Sequence, residues 1–154
     1  MRIALIVAII VLCGAGAAGN SARSAFFERL TGSRPNIRWD ASSEILADLD
    51  GDGKIDSALL GYASGRAVLA VAASSNKGEI QYLEFPVGQT QESICSIPAK
   101  LSAVPLTCEM DGGSKLPGCI ASRSAIAMVL DDGDCDSINL YWNRDKKLVT
   151  WWRN

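Results

Sequence analysis

The sequence contains no histidine, and this absence removes several kinds of catalytic site. Without an imidazole the chain cannot build a Ser-His-Asp triad, a Cys-His dyad or a histidine-ligated zinc site. Aromatic residues are also scarce, and the 15 basic residues are fewer than the 17 acidic ones. Nucleic-acid affinity comes largely from basic side chains that neutralise phosphates, so we expect no nucleic-acid partner. A chain of 154 residues is long enough for one domain.

The N-terminal residues have the pattern of a secretory signal peptide. Arg2 supplies a positive charge, residues 3–13 form an unbroken apolar run, and small residues follow up to Ala22. This pattern predicts a signal peptide over residues 1–22 and a single β-rich domain over residues 23–154. The apolar run is shorter than the ~20 residues that cross a bilayer, so we expect no stable membrane anchor after cleavage. The protein is therefore predicted to be periplasmic or secreted.

Four cysteines remain after cleavage, and they are Cys95, Cys108, Cys119 and Cys135. An even number in an exported chain predicts two disulfides. Zinc is the alternative, but no two of these cysteines have the close spacing that structural zinc sites favour. Among the possible pairings we favour Cys95–Cys108 with Cys119–Cys135, because each closes a local loop. Residues 88–118 are accordingly predicted to be long loops stapled by disulfides.

Short runs rich in Val, Ile, Leu and Tyr alternate with clusters of Gly, Ser, Asn and Asp, which is typical of strands and turns. The predicted strands are residues 43–47, 56–62, 67–73, 79–85, 106–110, 125–130, 137–142 and 148–153. Residues 24–30 are predicted to form a short N-terminal helical turn. The expected fold is mainly β, a compact antiparallel sheet or sandwich.

The most informative segment is the acidic loop over residues 48–56, which has carboxylates at its first, third, fifth and ninth positions. Alternate residues of a tightly curled loop can turn their oxygens inward, and Ca²⁺ prefers six to eight oxygen ligands. Gly53 lies where such a loop needs a sharp turn, and Ile55 is expected to anchor the loop to the sheet. The predicted ligands are the side chains of Asp48, Asp50, Asp52 and Asp56 and the carbonyl oxygen of Lys54.

An EF-hand is excluded, because its bidentate Glu at position twelve is replaced here by Leu59. Residues 47–60, ADLDGDGKIDSALL, are instead similar to the D-x-D-G-D-G-x-x-D loop of the FG-GAP/VCBS type, known from integrin-like propellers and secreted bacterial proteins. The resemblance implies calcium binding through the same five residues and a loop that leads into a strand. One copy in a chain of this size excludes a closed propeller. A turn without metal is the alternative.

A second acidic cluster follows an apolar run near the C-terminus, and its alternating carboxylates are Asp132, Asp134 and Asp136. It is either a second ion site or a solvated turn held by the Cys135 disulfide. Residues 48–56 carry a net charge of −3 and residues 131–136 a net charge of −4, whereas the rest of the predicted mature chain is net positive. We therefore raise the hypothesis that the two loops are close together in the fold.

The C-terminal segment ends in Trp151, Trp152 and Arg153. Strand alternation places Trp151 and Arg153 on one face and Trp152 on the other. One tryptophan is expected in the core, and the other is either part of a binding surface or a cap on the core edge.

These observations together predict an exported, calcium-binding, disulfide-stabilised and non-catalytic protein. Small exported proteins of this kind often bind another protein, as inhibitors or immunity proteins do, so a protein partner is expected. One alternative is a carbohydrate-binding module that uses calcium and the aromatic side chains. A glycosidase is the other, since it needs only two carboxyl groups. Its candidate residues, chosen by type alone, are Glu44, Glu79, Glu84 and Glu92.

Overall fold

The computed structural model describes residues 18–110, 112–122 and 124–153, with side chains from Ala25 onward. Most of the predicted signal peptide, residues 1–17, lies outside the described residues. The helix α1 (Ala18–Ser33) begins within the rest of it. The strands are β1 (Arg38–Trp39), β2 (Ile45–Ala47), β3 (Asp56–Ala63), β4 (Arg66–Ala72), β5 (Ile80–Pro86), β6 (Lys100–Pro105), β7 (Ile126–Asp131), β8 (Ile138–Asn143) and β9 (Leu148–Trp152).

The strands form two antiparallel sheets, which confirms the predicted mainly β fold. In the first sheet the order is β1-β3-β4-β5, and β2 extends the same edge of β3 that β1 pairs with. The second sheet is a meander in the order β6-β7-β8-β9. The helix is longer than the predicted turn. No helix in the described part of the chain is both long and apolar enough to cross a membrane.

Two apolar layers hold these elements together, one on each face of the first sheet. Because side chains alternate along a strand, β3 and β4 contribute to both layers and are almost wholly apolar. The layer between the two sheets includes Leu60, Leu69, Phe85, Leu101, Leu130, Leu140 and Trp142. The layer under α1 includes Phe26, Leu30, Ile37, Trp39, Leu59 and Val68. The chain is therefore a two-sheet sandwich with one helix on its outer side.

One predicted strand is wrong, and a different segment takes its place. Residues 106–110 were expected to be a strand, but β6 ends at Pro105 and the chain then enters a loop. The strand β6 has a weak pattern, since Leu101 is its only buried residue. Sequence periodicity therefore gives little indication of it.

The two predicted disulfides are confirmed, but the favoured pairing is wrong. The bonds join Cys95 to Cys135 and Cys108 to Cys119, with Cα atoms 5.8 and 5.6 Å apart. The cause lies in the register of β6 and β7, in which Lys100 is opposite Asp131. This pairing brings the segment before β6 beside the segment after β7, so Cys95 meets Cys135.

Gly61 on β3 provides a test of the packing of the Ile37 and Trp39 side chains against the face of the first sheet. A Cβ atom there would lie 2.6 Å from both Ile37 Cγ2 and Trp39 Cε3. We expect Gly61→Ala to lower the free energy of unfolding by about 1–3 kcal/mol, because the buried ring and methyl group must move. Chemical denaturation of the disulfide-intact protein measures this change.

Gly32→Ala is the matched control, because a Cβ atom at this exposed helical position meets nothing within 4 Å. It should leave stability unchanged or raise it by up to about 1 kcal/mol. Equal stability of the wild type and Gly61→Ala would contradict the described packing.

Candidate metal centre

Three aspartates meet at one end of the sandwich, two in the loop between β2 and β3 and one at the first residue of β3. Asp48, Asp50 and Asp56 each offer a carboxylate oxygen, and these oxygens all lie within 4.8 Å of one another. The three residues are only 9%, 5% and 1% exposed, respectively. Buried carboxylates this close repel one another unless a cation or several donors compensate them. The acidic triad can therefore hold a metal ion.

The loop curls tightly because two glycines adopt left-handed backbone conformations. The φ angles are +74° at Gly51 and +86° at Gly53. The curl turns backbone N–H groups toward the carboxylates. Asp52 N donates to Asp50 Oδ1 over 3.0 Å, and Gly53 N donates to Asp48 Oδ2 over 3.1 Å. Residues with a Cβ atom rarely adopt such φ angles, so the glycines are required by the backbone rather than by the ion.

Asp56 is the most deeply buried member of the triad and the one that accepts most backbone hydrogen bonds. Its Oδ2 accepts from Leu49 N and Asp50 N over 2.8 and 3.1 Å, and its Oδ1 accepts from Ser74 N over 2.7 Å. Burial raises the pKa of this carboxyl, and the nearby Asp50 charge adds to the rise, while the three N–H groups oppose it. Asp56 thus joins the start of its own loop to the connection between β4 and β5.

Asp48 differs from the other two because one of its oxygens lacks a partner. Its Oδ2 accepts from Gly53 N and from the Ser124 hydroxyl, the latter over 3.2 Å. Its Oδ1 is buried and has no hydrogen-bond partner. An unsatisfied buried carboxylate oxygen is costly, and a bound cation is one way to remove that cost.

The other two predicted ligands, Asp52 and Lys54, do not belong to the triad. Asp52 is exposed, and its carboxylate accepts from the Ser74 hydroxyl and from Lys54 N and Nζ. The Ser74 hydrogen bond and then those from Lys54 hold the pKa of Asp52 below its ordinary value. The ligand roles of Asp52 and of the Lys54 carbonyl stay predictions. Ile55 was expected to anchor the loop, but its side chain is 68% exposed.

Several residues that support the loop were not found from the sequence. Ser75 N donates to Asp50 Oδ2, and Arg144 Nη2 donates to the Gly51 carbonyl, over 3.1 and 3.2 Å. The Asp48 carbonyl accepts from Ile126 N over 3.3 Å. Like Ser74 and Ser124, these partners are distant in sequence. No local spacing could have revealed them.

In the second acidic cluster the carboxylate of Asp132 accepts hydrogen bonds from backbone N–H groups and is not grouped with other carboxylates. Asp132 Oδ2 accepts from Cys95 N over 2.6 Å, and Oδ1 accepts from Cys135 N and Asp134 N, each over 2.9 Å. Asp132 therefore binds the backbone of both cysteines in one disulfide. Asp134 and Asp136 are exposed, and in the described part of the chain the only metal-type cluster is the triad.

The hypothesis that the two acidic loops lie close together is wrong. The Asp48 carbonyl accepts a hydrogen bond from Ile126, the first residue of β7. Asp132, in contrast, comes directly after the last residue of the same strand. A strand of this length separates them by roughly 17 Å.

The C-terminal tryptophans are both partly buried and pack edge-on against other rings. Trp151 contacts Phe85 with ring centroids 6.1 Å apart, and Trp152 contacts Tyr141 at 5.5 Å. Arg153 Nη2 donates to the Ser93 carbonyl over 2.7 Å. Trp151 packs against the core between the sheets. Both tryptophans also line a cavity of about 230 Å³.

We expect Asp56→Asn to destabilise the protein by roughly 2–3 kcal/mol in the absence of any added cation. An amide offers one acceptor oxygen, so its NH₂ group must oppose the N–H of Ser74 or those of Leu49 and Asp50. Chemical denaturation in metal-free buffer measures the loss, with exposed Asp134→Asn as the control. A variant within about 0.5 kcal/mol of the wild type would show that these hydrogen bonds do not hold the loop.

Asp132 gives a prediction with a defined pH dependence. Burial would raise its pKa, but N–H groups of Asp134, Cys135, Cys95 and Ser96 together hold the pKa below its ordinary value. The charged form therefore stabilises the fold above the unfolded-state pKa near pH 4, and this contribution is lost as pH falls through the lower folded-state pKa.

Asp132→Asn should consequently cost roughly 1–2 kcal/mol at pH 7 and progressively less below about pH 4. Denaturation of both proteins at pH 7 and at acidic pH measures the difference. If the loss of stability caused by Asp132→Asn stays constant or grows as the pH falls, the charged form of Asp132 is not what stabilises the fold.

No protein-family model matches the chain, and neither a curated protein nor a solved structure shows significant similarity to it.

Proposed function

We propose that this chain is an exported, non-catalytic protein that binds Ca²⁺ in the loop of residues 48–56 and uses the ion to stabilise a surface for a protein partner. The observation that carries the proposal is the buried, unpartnered Oδ1 of Asp48 within the acidic triad. The ion's role is structural: it would join carboxylates that otherwise repel one another. Folding and metal binding would then be coupled.

Hydrogen bonds alone do not compensate the negative charge of the three carboxylates. Five of its six carboxylate oxygens accept at least one hydrogen bond, but the donors are neutral N–H and hydroxyl groups. Neutral donors stabilise each carboxylate without cancelling the repulsion between them. A divalent cation supplies the missing positive charge and a partner for Asp48 Oδ1.

The donor set supports calcium over softer metals, because carboxylate oxygens suit hard cations. Calcium accepts irregular geometry and more ligands than magnesium does. In this proposal Asp52 and the Lys54 carbonyl supply further oxygens. The absence of the bidentate Glu found in EF-hands favours weak binding, in the range of about 10⁻⁴–10⁻³ M.

Export is supported by the two disulfides, which are typical of an oxidising environment outside the cytosol. A periplasmic or secreted location follows if residues 1–22 are removed. The proposed partner role rests on the class of small exported domains and not on an individual residue.

The two alternatives receive less support. A sugar platform needs an open aromatic face, whereas Trp152 is partly buried and packs edge-on against Tyr141. Among the glycosidase candidates, Glu84 forms ion pairs with Arg66 at 3.1 Å and with Arg34 at 3.9 Å. A glycosidase needs a second carboxyl group facing the first, whereas the described partners of Glu84 are two arginines.

The proposal predicts that calcium at about ten times its Kd raises the stability by about 1.4 kcal/mol and Tm by about 3–6 °C. Asp48→Asn should abolish most of this rise. Without calcium the variant should be as stable as the wild type or slightly more stable, because the Asn oxygen can keep the bonds from Gly53 and Ser124 while one charge is removed. Thermal melts of the disulfide-intact protein, with calcium and in metal-free buffer, test both statements.

Asp136→Asn is the matched control, since it removes one exposed carboxylate from the other acidic loop and should keep the full calcium effect. Magnesium at the same concentration should produce a smaller rise. If calcium leaves the wild-type Tm unchanged, or raises Tm of Asp48→Asn equally, the metal-binding proposal fails.

A further inference from the structure

A cavity of about 300 Å³ lies directly beside the acidic loop. Its wall is shared between the loop, the connection after β4 and the turn between β8 and β9. The lining residues are Asp50, Gly51, Asp52, Ser75, Trp142, Arg144 and Lys147. Since Asp50 also belongs to the triad, the cavity adjoins the candidate metal centre.

Two cations on the β8–β9 turn face this cavity. Arg144 is fixed on the loop by its bond to the Gly51 carbonyl, and its Nη2 lies 2.7 Å from where a Gly51 Cβ would be. Lys147 has a left-handed backbone, and its carbonyl accepts from Asn76 Nδ2. Neither cation forms an ion pair with a described residue, although acidic residues line the same cavity.

The charge of the cavity depends on the metal. Four aspartates of the loop face three cations, namely Lys54, Arg144 and Lys147, so the loop and the cavity together carry a net charge of −1 when no ion is bound. A divalent cation in the triad changes this net charge to +1. Ca²⁺ takes about six to eight oxygen ligands, so one oxygen from each of the five proposed ligands leaves at least one coordination position for an exogenous oxygen.

We propose that the calcium-loaded loop, Arg144 and Lys147 form a binding site for a carboxylate. One ligand oxygen would complete the calcium coordination, and the guanidinium of Arg144 would donate to the carboxylate in a charge-assisted hydrogen bond. The ligand is either a free dicarboxylate or an acidic side chain of a partner protein, since both present the same group. This inference rests on the proposed function, because without the ion the cavity has no excess positive charge.

The test is a titration of ¹⁵N-labelled, disulfide-intact protein, followed by the amide shifts of Gly51, Ser75 and Lys147. Glutarate and the peptide acetyl-Gly-Glu-Gly-amide are the two probes, and acetyl-Gly-Gln-Gly-amide is the uncharged control. Each is added to the calcium-saturated protein and to the protein in metal-free buffer. Calcium affinity is measured separately for every variant.

We expect binding of glutarate or of the Glu peptide in the millimolar range with calcium, and no binding in metal-free buffer. Arg144→Gln and Lys147→Gln should each weaken it about tenfold at saturating calcium. Lys146→Gln removes the same charge from the same turn but outside this cavity, so it should have little effect. Tighter binding of the peptide identifies an acidic side chain as the ligand, whereas tighter binding of glutarate identifies a small acid.

Three results would overturn the inference, and they are distinguishable from one another. If calcium binds but neither acidic probe does, the carboxylate site is wrong and the proposed function stands. If the probes bind equally without calcium, or equally to Arg144→Gln, the ion and the arginine are not part of the site. If calcium itself does not bind, the proposed function fails and this inference fails with it.

Discussion

Buried like charge at one end of the sandwich is the constraint on which the rest of the structure depends. Asp48, Asp50 and Asp56 lie almost out of solvent with their oxygens clustered. Burial of this kind requires hydrogen-bond donors or a cation beside the carboxylates, and the structure supplies the donors. These donors come from the loop itself, from the segment after β4 and from the segment before β7, so both sheets contribute. The acidic loop is consequently a junction between the sheets as well as a candidate ion site.

The fold class was predictable because strand periodicity is local. Seven of the eight predicted strands overlap strands of the structure, including β3, whose apolar run begins directly at the end of the acidic loop. Two strands were missed, the two-residue β1 and the strand β6, which is an edge strand of the second sheet with little apolar alternation. The omission of β6 also accounts for the wrong disulfide pairing. Without the pairing of Lys100 with Asp131, nothing in the sequence brings Cys95 near Cys135.

The candidate site was predictable only as far as it is local. Spacing alone identified the carboxylates of the triad, because alternate residues of a curled loop face inward. Spacing did not show that Asp52 is bound by Ser74 and Lys54, because its orientation depends on a partner 22 residues away. Spacing also predicted that Ile55 anchors the loop to the sheet, whereas the structure leaves this residue exposed. Tertiary contacts decide both the orientation of Asp52 and the exposure of Ile55. These contacts depend on which turns the two sheets bring to the same end of the sandwich.

The two ends of the sandwich are held by devices that respond to different conditions. At one end of β7, Asp132 and the Cys95–Cys135 bond tie the β6 side of the fold to the β7–β8 turn. A disulfide constrains the unfolded chain whatever the ion concentration, once the compartment is oxidising. At the other end, a cation would act on the native state alone, and its contribution grows with the logarithm of its concentration. Under the proposed function, the stability of the Arg144 turn and of the cavity beside it would follow the concentration of the bound ion, while the disulfide end stays fixed.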